Sequence, residues 1–346
     1  MIRSNAVKDL AALQKYVEGV KRLKDPVQNP WPGQANLSIY DSLVAWHHRA
    51  MMISTPAGQM ARNAAHGGPS FLPWHRYFLV RLESLLRKAV NDPHFRIPYW
   101  DWNTDAELQD PRTSVIWSNQ YLGQFVDGKW RVRLMGDGRT MELGRVNRPL
   151  VRYLGGDGAL PSRANVRKVI QENTVYDKTP YDAAQSTGGA RNSIEGWAGK
   201  ERIHNNVHVW VGGDMGLSSS PNDPVFFLHH CNVDRLWAAW QAKHPTAAYV
   251  PDAAAPDTLK FHRIDDPMYS PFPEKVTPRD VLNYSQYYKY DTLSDLLYAA
   301  SSGGASSHTE RLLLQTRLYQ RSQLLGGRRQ VFCSSMKYIA EGRQRG

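Results

Sequence analysis

The sequence predicts one mainly helical domain over residues 1–291, followed by a separate tail at 292–346. Three observations predict it. Apolar residues recur at three- and four-residue spacing in several segments. Capping and breaking residues bound the best of these. Beyond Asp291 the composition turns rich in Ser, Gly and Arg, with SSGGASS at 301–307.

Taken in order, residues 4–24 read as a helix, with Ser4 or Asn5 as its cap and Val7, Leu10, Leu13, Val17, Val20 and Leu23 on one face. A Pro/Gly/Asn stretch from Asp25 to Gln34 ends it. Ser38 to Met52 is a second helical pattern, with Leu43, Val44 and Trp46 among its apolar positions. After a Gly- and Pro-rich loop, FLPWHRYFLVRLESLLRKAV places Phe78, Leu79, Leu82, Leu85 and Leu86 along one face. Residues 103–200 are crowded with Gly, Asp, Asn and Pro; so long a loop is unusual in one domain, so short turns and strands are expected within it. Periodicity returns at Lys200–Trp210 and at Pro224–Lys243, where Asp223 caps and Pro224 opens the helix. A short helix is expected over 277–288, and a weak helical pattern near 310–325. No repeat of 20–50 residues is present.

The chain has 346 residues, 41% hydrophobic and 22% charged, which excludes a wholly disordered protein. No run approaches the ~20 apolar residues that span a bilayer. Its formal charge is +11. Residues 291–346 hold eight basic and four acidic residues, the remaining excess is scattered, and no basic run reaches five; the charge reads as solvated surface and not as a nucleic-acid site. Two cysteines, Cys231 and Cys333, make neither a disulfide framework nor a Cys-rich metal site. With no secretory signal read at the amphipathic N-terminus, the expectation is a cytoplasmic protein, or one exported without its own signal.

Six of the twelve histidines fall into two groups of three beside the best helix candidates: His47, His66 and His75, then His204, His208 and His230. His204 and His208 are four apart in HNNVH, one turn apart on one helix face. A zinc protease would carry Glu after the first His, where Asn205 stands. A di-iron bundle would need Glu-x-x-His pairs, and these are missing. Any one of these histidines alone reads as a core or surface residue. Six without thiolate or carboxylate competitors suit copper or zinc, with open coordination for catalysis. His94, His244, His262 and His308 lack such company and read as structural or solvent-facing.

His66-GGPS-Phe71-Leu72-Pro73-Trp74-His75-Arg76, followed by Leu79 and Glu83, resembles the first copper-site signature of the tyrosinase family. Asp223-Pro224-Val225-Phe226-Phe227, His229-His230 and Asp234 resemble the second, and HNNVHVWVGGDM is similar to the segment that supplies the remaining pair. Tyr288-Lys289-Tyr290 resembles the element that closes the family's catalytic core, so the resemblance covers most of the chain and leaves the tail outside. The resemblance implies a four-helix bundle, with long loops and a few short strands, housing a dinuclear copper site. His47, His66 and His75 would hold one copper, and His204, His208 and His230 the other. His47 is preferred over His48 because it stands seven residues after the Tyr of Tyr40-Asp41. His230 is preferred over His229 because it stands four before Asp234, which would reach it along the helix or form an ion pair with a nearby Arg. Where some members carry a Cys cross-linked to His this chain has Ala64, and Cys231 reads as a small buried residue.

The resemblance further implies a copper enzyme using O2, with small phenols as substrates and a copper-delivery protein as a partner. Trp46, Phe71, Trp74, Phe226 and Phe227 suit the apolar shell of such a site while packing the core. A phenol must shed its proton to bind copper, which costs ~4 kcal/mol at pH 7 for a pKa near 10. Glu195 and Asn205 look like the family's pair that holds a water as proton acceptor; Glu195 alone would read as a charge flanking a helix. Trp197 and Val209 stand where the family positions residues around the substrate entrance. The expected activity is hydroxylation of monophenols to o-diphenols and their oxidation to o-quinones, as in melanin-type pigment formation. The alternatives are a catechol or o-aminophenol oxidase, a haemocyanin-like O2 carrier, and a structural or zinc-binding protein. The tail reads as disordered, with a short shield or a partner-docking arm as alternatives.

Overall fold

A two-residue strand, β1 (Ile2–Arg3), opens the chain and pairs in parallel with β4 (Lys289–Tyr290). The computed structural model describes residues 1–25, 37–136, 138–184, 188–198 and 201–298. Because the first residues are drawn into this pairing, helix α1 (Leu10–Lys24) starts later than position 4. Its cap is Asp9, whose carboxylate accepts from the Ala12 N–H, and not Ser4 or Asn5. Ser4 instead donates to Asp9, and Asn5 accepts from the Val7 N–H.

Ser38 caps α2 (Ile39–Met52), accepting from the Asp41 N–H, and α3 (Phe71–Ala89) follows the Gly/Pro loop. The 103–200 stretch contains the expected short turns and strands and also helices. It begins with α4 (Trp102–Asp105) and several 3-10 turns, then an antiparallel hairpin of β2 (Arg131–Gly136) and β3 (Leu143–Pro149). Helix α5 (Arg163–Glu172) is unforeseen in the sequence. It buries only Val166, Val169 and Ile170, so its apolar signal is weak, but a Ser162/Asn165 capping box fixes its start.

Helix α6 (Ala190–Glu195) leads to α7 (Ile203–Val211), which cannot start nearer Lys200 because Arg202 has a left-handed backbone, φ 43°. Helix α8 (Val225–Lys243) begins one residue past Pro224, and Asp223 accepts from the Val225 N–H. The 277–288 segment divides into α9 (Pro278–Val281), capped by Thr277, and a separate 3-10 turn at Tyr284–Gln286. Beyond 291, α10 (Ser294–Leu297) buries Leu296, and Asp295 pairs with the buried Arg235 of α8. The pattern near 310–325 and residues 299–346 lie outside the described residues. Among those described, no helix is long and apolar enough to cross a membrane.

The core packs α3 along α8 and α1, with Trp46, Trp74, Trp100, Trp102, Trp237 and Trp240 fully or almost fully buried. Each large apolar side chain so buried contributes roughly 1.5–3 kcal/mol. A buried ionic knot closes this core. Arg3 reaches Glu83 at 3.1 Å and Asp234 at 3.2 Å, Arg76 reaches Asp234 at 2.5 Å, and Tyr288 and Tyr290 both donate to Asp234. Burial would raise the Asp234 carboxyl, but the two guanidinium groups outweigh it and hold it below its usual range. Asp234 therefore serves an ion pair and makes no hydrogen bond to the His230 ring.

Candidate dinuclear metal centre

Four helices bring imidazoles to one place. Helix α2 carries His47, the loop before α3 carries His66, α3 carries His75, α7 carries His204 and His208, and α8 carries His230. The loop can bring His66 in because Gly67 adopts φ +72°, and a Cβ there would stand 2.6 Å from the Ala61 carbonyl oxygen.

The structure gathers His47, His66 and His75 into one group, and His204, His208, His229 and His230 into another, with ligand atoms in each within 4.8 Å of one another. In the first group, ring centroids lie 4.8–5.8 Å apart. His204 lies 4.5 Å from His208 and 4.9 Å from His230. The two groups face each other, with His75 stacked on His230 at 4.2 Å and His66 at 6.1 Å from His204. Phe71 and Phe226 fill the flanks, Phe226 at 4.2 Å from His230 and Phe71 at 5.0 Å from His204.

Hydrogen bonds fix several tautomers. Nδ1 of His47 lies 2.9 Å from the Ser218 carbonyl, that of His75 2.8 Å from Phe71, and that of His208 2.7 Å from Met215. A carbonyl only accepts, so each Nδ1 carries the proton and each Nε2 presents a lone pair. Those three Nε2 atoms are buried without hydrogen-bond partners. An unpartnered buried polar atom costs about 1–3 kcal/mol, so such atoms within clusters of imidazoles whose nitrogens lie within 4.8 Å of one another fit a metal ligand role. Burial pushes His47 down to about 3 and His208 to about 4, so both stay neutral at pH 7, the form that binds metal. An all-imidazole donor set of this kind fits copper.

The doubled histidines part ways. His48 points elsewhere, its Nδ1 on the Ser218 hydroxyl at 2.9 Å and its Nε2 on the Thr140 carbonyl at 3.0 Å. His229, fully buried with both nitrogens unpartnered, shares the second group with His230. Sequence spacing favoured only one of that pair.

Glu195 is fully buried and is no helix-flanking surface charge. Its carboxylate accepts from the Gly67 N–H at 2.7 Å and from Arg191 at 3.0 Å, and the Trp197 side chain also bonds it. Burial raises its pKa, and Arg191 opposes that rise. The Glu195 main-chain carbonyl and the Asn205 side-chain oxygen lie 3.2 and 3.0 Å from the same His204 Nδ1. Arg191 in turn grips Asp177 at 2.7 Å. Sequence reasoning missed Arg191, although its position four residues before Glu195 on a helix was a usable signal. Trp197 and Val209 are 46% and 40% exposed. Cys231 is buried, its thiol donating to the Ile97 carbonyl.

Fold and site together define a helical metalloprotein in which two histidine clusters face each other in an apolar shell. Residues 37–243 match the family model described as the common central domain of tyrosinase. The chain is 38% identical over 269 residues to a tyrosinase of Streptomyces lincolnensis, covering 73% of this chain and 89% of that one. It is 32% identical to the grixazone synthase of Streptomyces griseus, covering 73% and 90%. In fold it is similar to a tyrosinase of Burkholderia thailandensis, TM-score 0.55 at 18% identity over 87% of this chain and 77% of that one. A functional unit of octopus hemocyanin is similar too, TM-score 0.53 at 21% identity over 85% and 68%. The chain belongs to the tyrosinase family. It is an oxidoreductase of the copper tyrosinase type.

Proposed function

We propose that His47, His66 and His75 hold one copper ion and His204, His208 and His230 a second, and that the enzyme uses O2 to hydroxylate monophenols and to oxidise o-diphenols to o-quinones. The observation that supports this most is the facing pair of imidazole clusters with buried, unpartnered Nε2 atoms. Bound copper supplies the redox chemistry, exchanging electrons with O2. The chain's own residues orient and protect that chemistry. Carbonyls of Ser218, Phe71 and Met215 hold three rings in the ligating tautomer. Phe71 and Phe226 exclude water from between the clusters.

Glu195 and Asn205 hold a water that takes the phenol proton, lowering the cost of presenting a phenolate. The Glu195 main-chain carbonyl and the Asn205 side-chain oxygen both lie on His204 Nδ1, which places the two residues beside this candidate ligand. Trp197 and Val209, both partly exposed, set the preference for the substrate's side chain. Small phenols are the substrates, and a copper-delivery protein is the expected partner. The test is O2 uptake by the copper-loaded protein with tyrosine, a catechol and an o-aminophenol supplied separately. Uptake with tyrosine and the catechol is expected. Uptake with none favours an O2 carrier, and uptake with the catechol or o-aminophenol alone favours the narrower oxidases.

A further inference from the structure

His66 differs from the imidazoles around it. It sits on a loop, and its buried Nδ1 has no hydrogen-bond partner, whereas His47, His75, His204 and His208 ride on helices with Nδ1 held, and His229 and His230, whose Nδ1 atoms are also unpartnered, are carried by α8. The aim of its ring therefore depends on where the backbone of 63–70 stands. Asn63 fastens one side, its side-chain oxygen accepting from the His66 N–H at 2.8 Å. Glu195 takes the Gly67 N–H, and the Tyr176 hydroxyl donates to the Pro69 carbonyl at 2.6 Å.

A further anchor is His262, a fully buried histidine from a distant loop that the reaction does not use. Its Nδ1 lies 2.9 Å from the Ser70 hydroxyl and 3.4 Å from the Ser70 N–H, which can only donate. Nδ1 is thus the acceptor, and the proton sits on Nε2, 2.6 Å from the Thr55 hydroxyl. Burial pushes the imidazole down to about 3, so this neutral tautomer holds throughout the physiological range. Contact is close enough that a Cβ on Gly68 would stand 2.7 Å from the ring. The Tyr249 hydroxyl donates to the His262 carbonyl at 2.8 Å, fixing the histidine itself.

We propose that His262 is a positioning residue for the first copper ligand set: bridging Thr55 and Ser70 and packed on Gly68, it fixes the loop that aims His66. This rests on the dicopper reading above. Partners one step removed from a ligand commonly change metal affinity about 10–100-fold when replaced. The substitution His262→Phe fills the space without hydrogen bonds, while His262→Asn keeps an acceptor for Ser70.

The experiment challenges copper-loaded full-length protein with a chelator and follows copper remaining per chain. Wild type is expected to hold two. His262→Phe is expected to release one copper about tenfold faster or more and the other at the wild-type rate, with His262→Asn recovering most of the loss. A general loss of structure would instead speed both coppers alike. That outcome, unchanged release of both, or identical behaviour of the Phe and Asn variants overturns the inference. If His262→Phe fails to fold, Thr55→Val carries the same test with the same outcomes. Wild type binding fewer than two coppers overturns the dicopper reading and this inference with it; two coppers indifferent to the substitution overturn this inference alone.

Discussion

The imidazoles of His75 and His230 stack across α3 and α8, 4.2 Å apart and 9° from parallel. One belongs to each histidine cluster, so this contact is where the two candidate metal sites meet. Helix α3 packs directly along α8, and the same packing that closes the core therefore sets the spacing between the clusters.

Glu195 and Asn205 should matter more for one half of the chemistry than for the other. Glu195→Gln or Asn205→Leu is expected to slow tyrosine hydroxylation on the order of 10²-fold, the usual scale for a positioned proton acceptor. Catechol oxidation should fall far less. Steady-state rates on both substrates check this, and equal loss of the two would count against the water-holding role.

Arg3 joins Glu83 and Asp234 with no exposure to solvent. Arg3→Ala leaves carboxylates buried with part of their compensation removed, and such breaks cost about 3–5 kcal/mol. Denaturant unfolding of the metal-free protein should show this loss with the m-value unchanged. A change under 1 kcal/mol would mean that Arg76 on Asp234 and Arg96 on Glu83 suffice without Arg3.

Metal-free protein should be acid-sensitive well above the carboxylate range. Burial lowers His47 to about 3, His208 to about 4 and His262 to about 3. Below about pH 6.5 the unfolded chain binds protons at these positions while the folded chain does not. Stability therefore falls as pH drops from about 6.5 toward 4, by up to about 1.4 kcal/mol per pH unit for each such group. Denaturant midpoints at pH 7.5, 6 and 5 measure it, and a flat profile would show that the rings are solvated when metal is absent.

Much of this was legible in the sequence because its strongest signals are local. Ser38 and the Thr277-Pro278 pair mark helix starts, and His204 and His208 lie one turn apart by helical geometry alone. What stayed hidden depends on distant partners. The start of α1 shifts because Arg3 and Ile2 pair with residues near 290. Helix α5 shows little because only Val166, Val169 and Ile170 face the core. Spacing to Asp234 singled out His230, but it could not show that His229 joins the same group, because that depends on where α7 places His204 and His208. Nor could any local pattern tie His262 to Ser70, 192 positions away.

Copper content of purified, saturated protein tests the central claim most directly. Wild type should bind two coppers per chain, and His75→Ala and His208→Ala should each hold one, lost from opposite clusters. Saturation below two in the wild type, or two coppers retained in both variants, would contradict it.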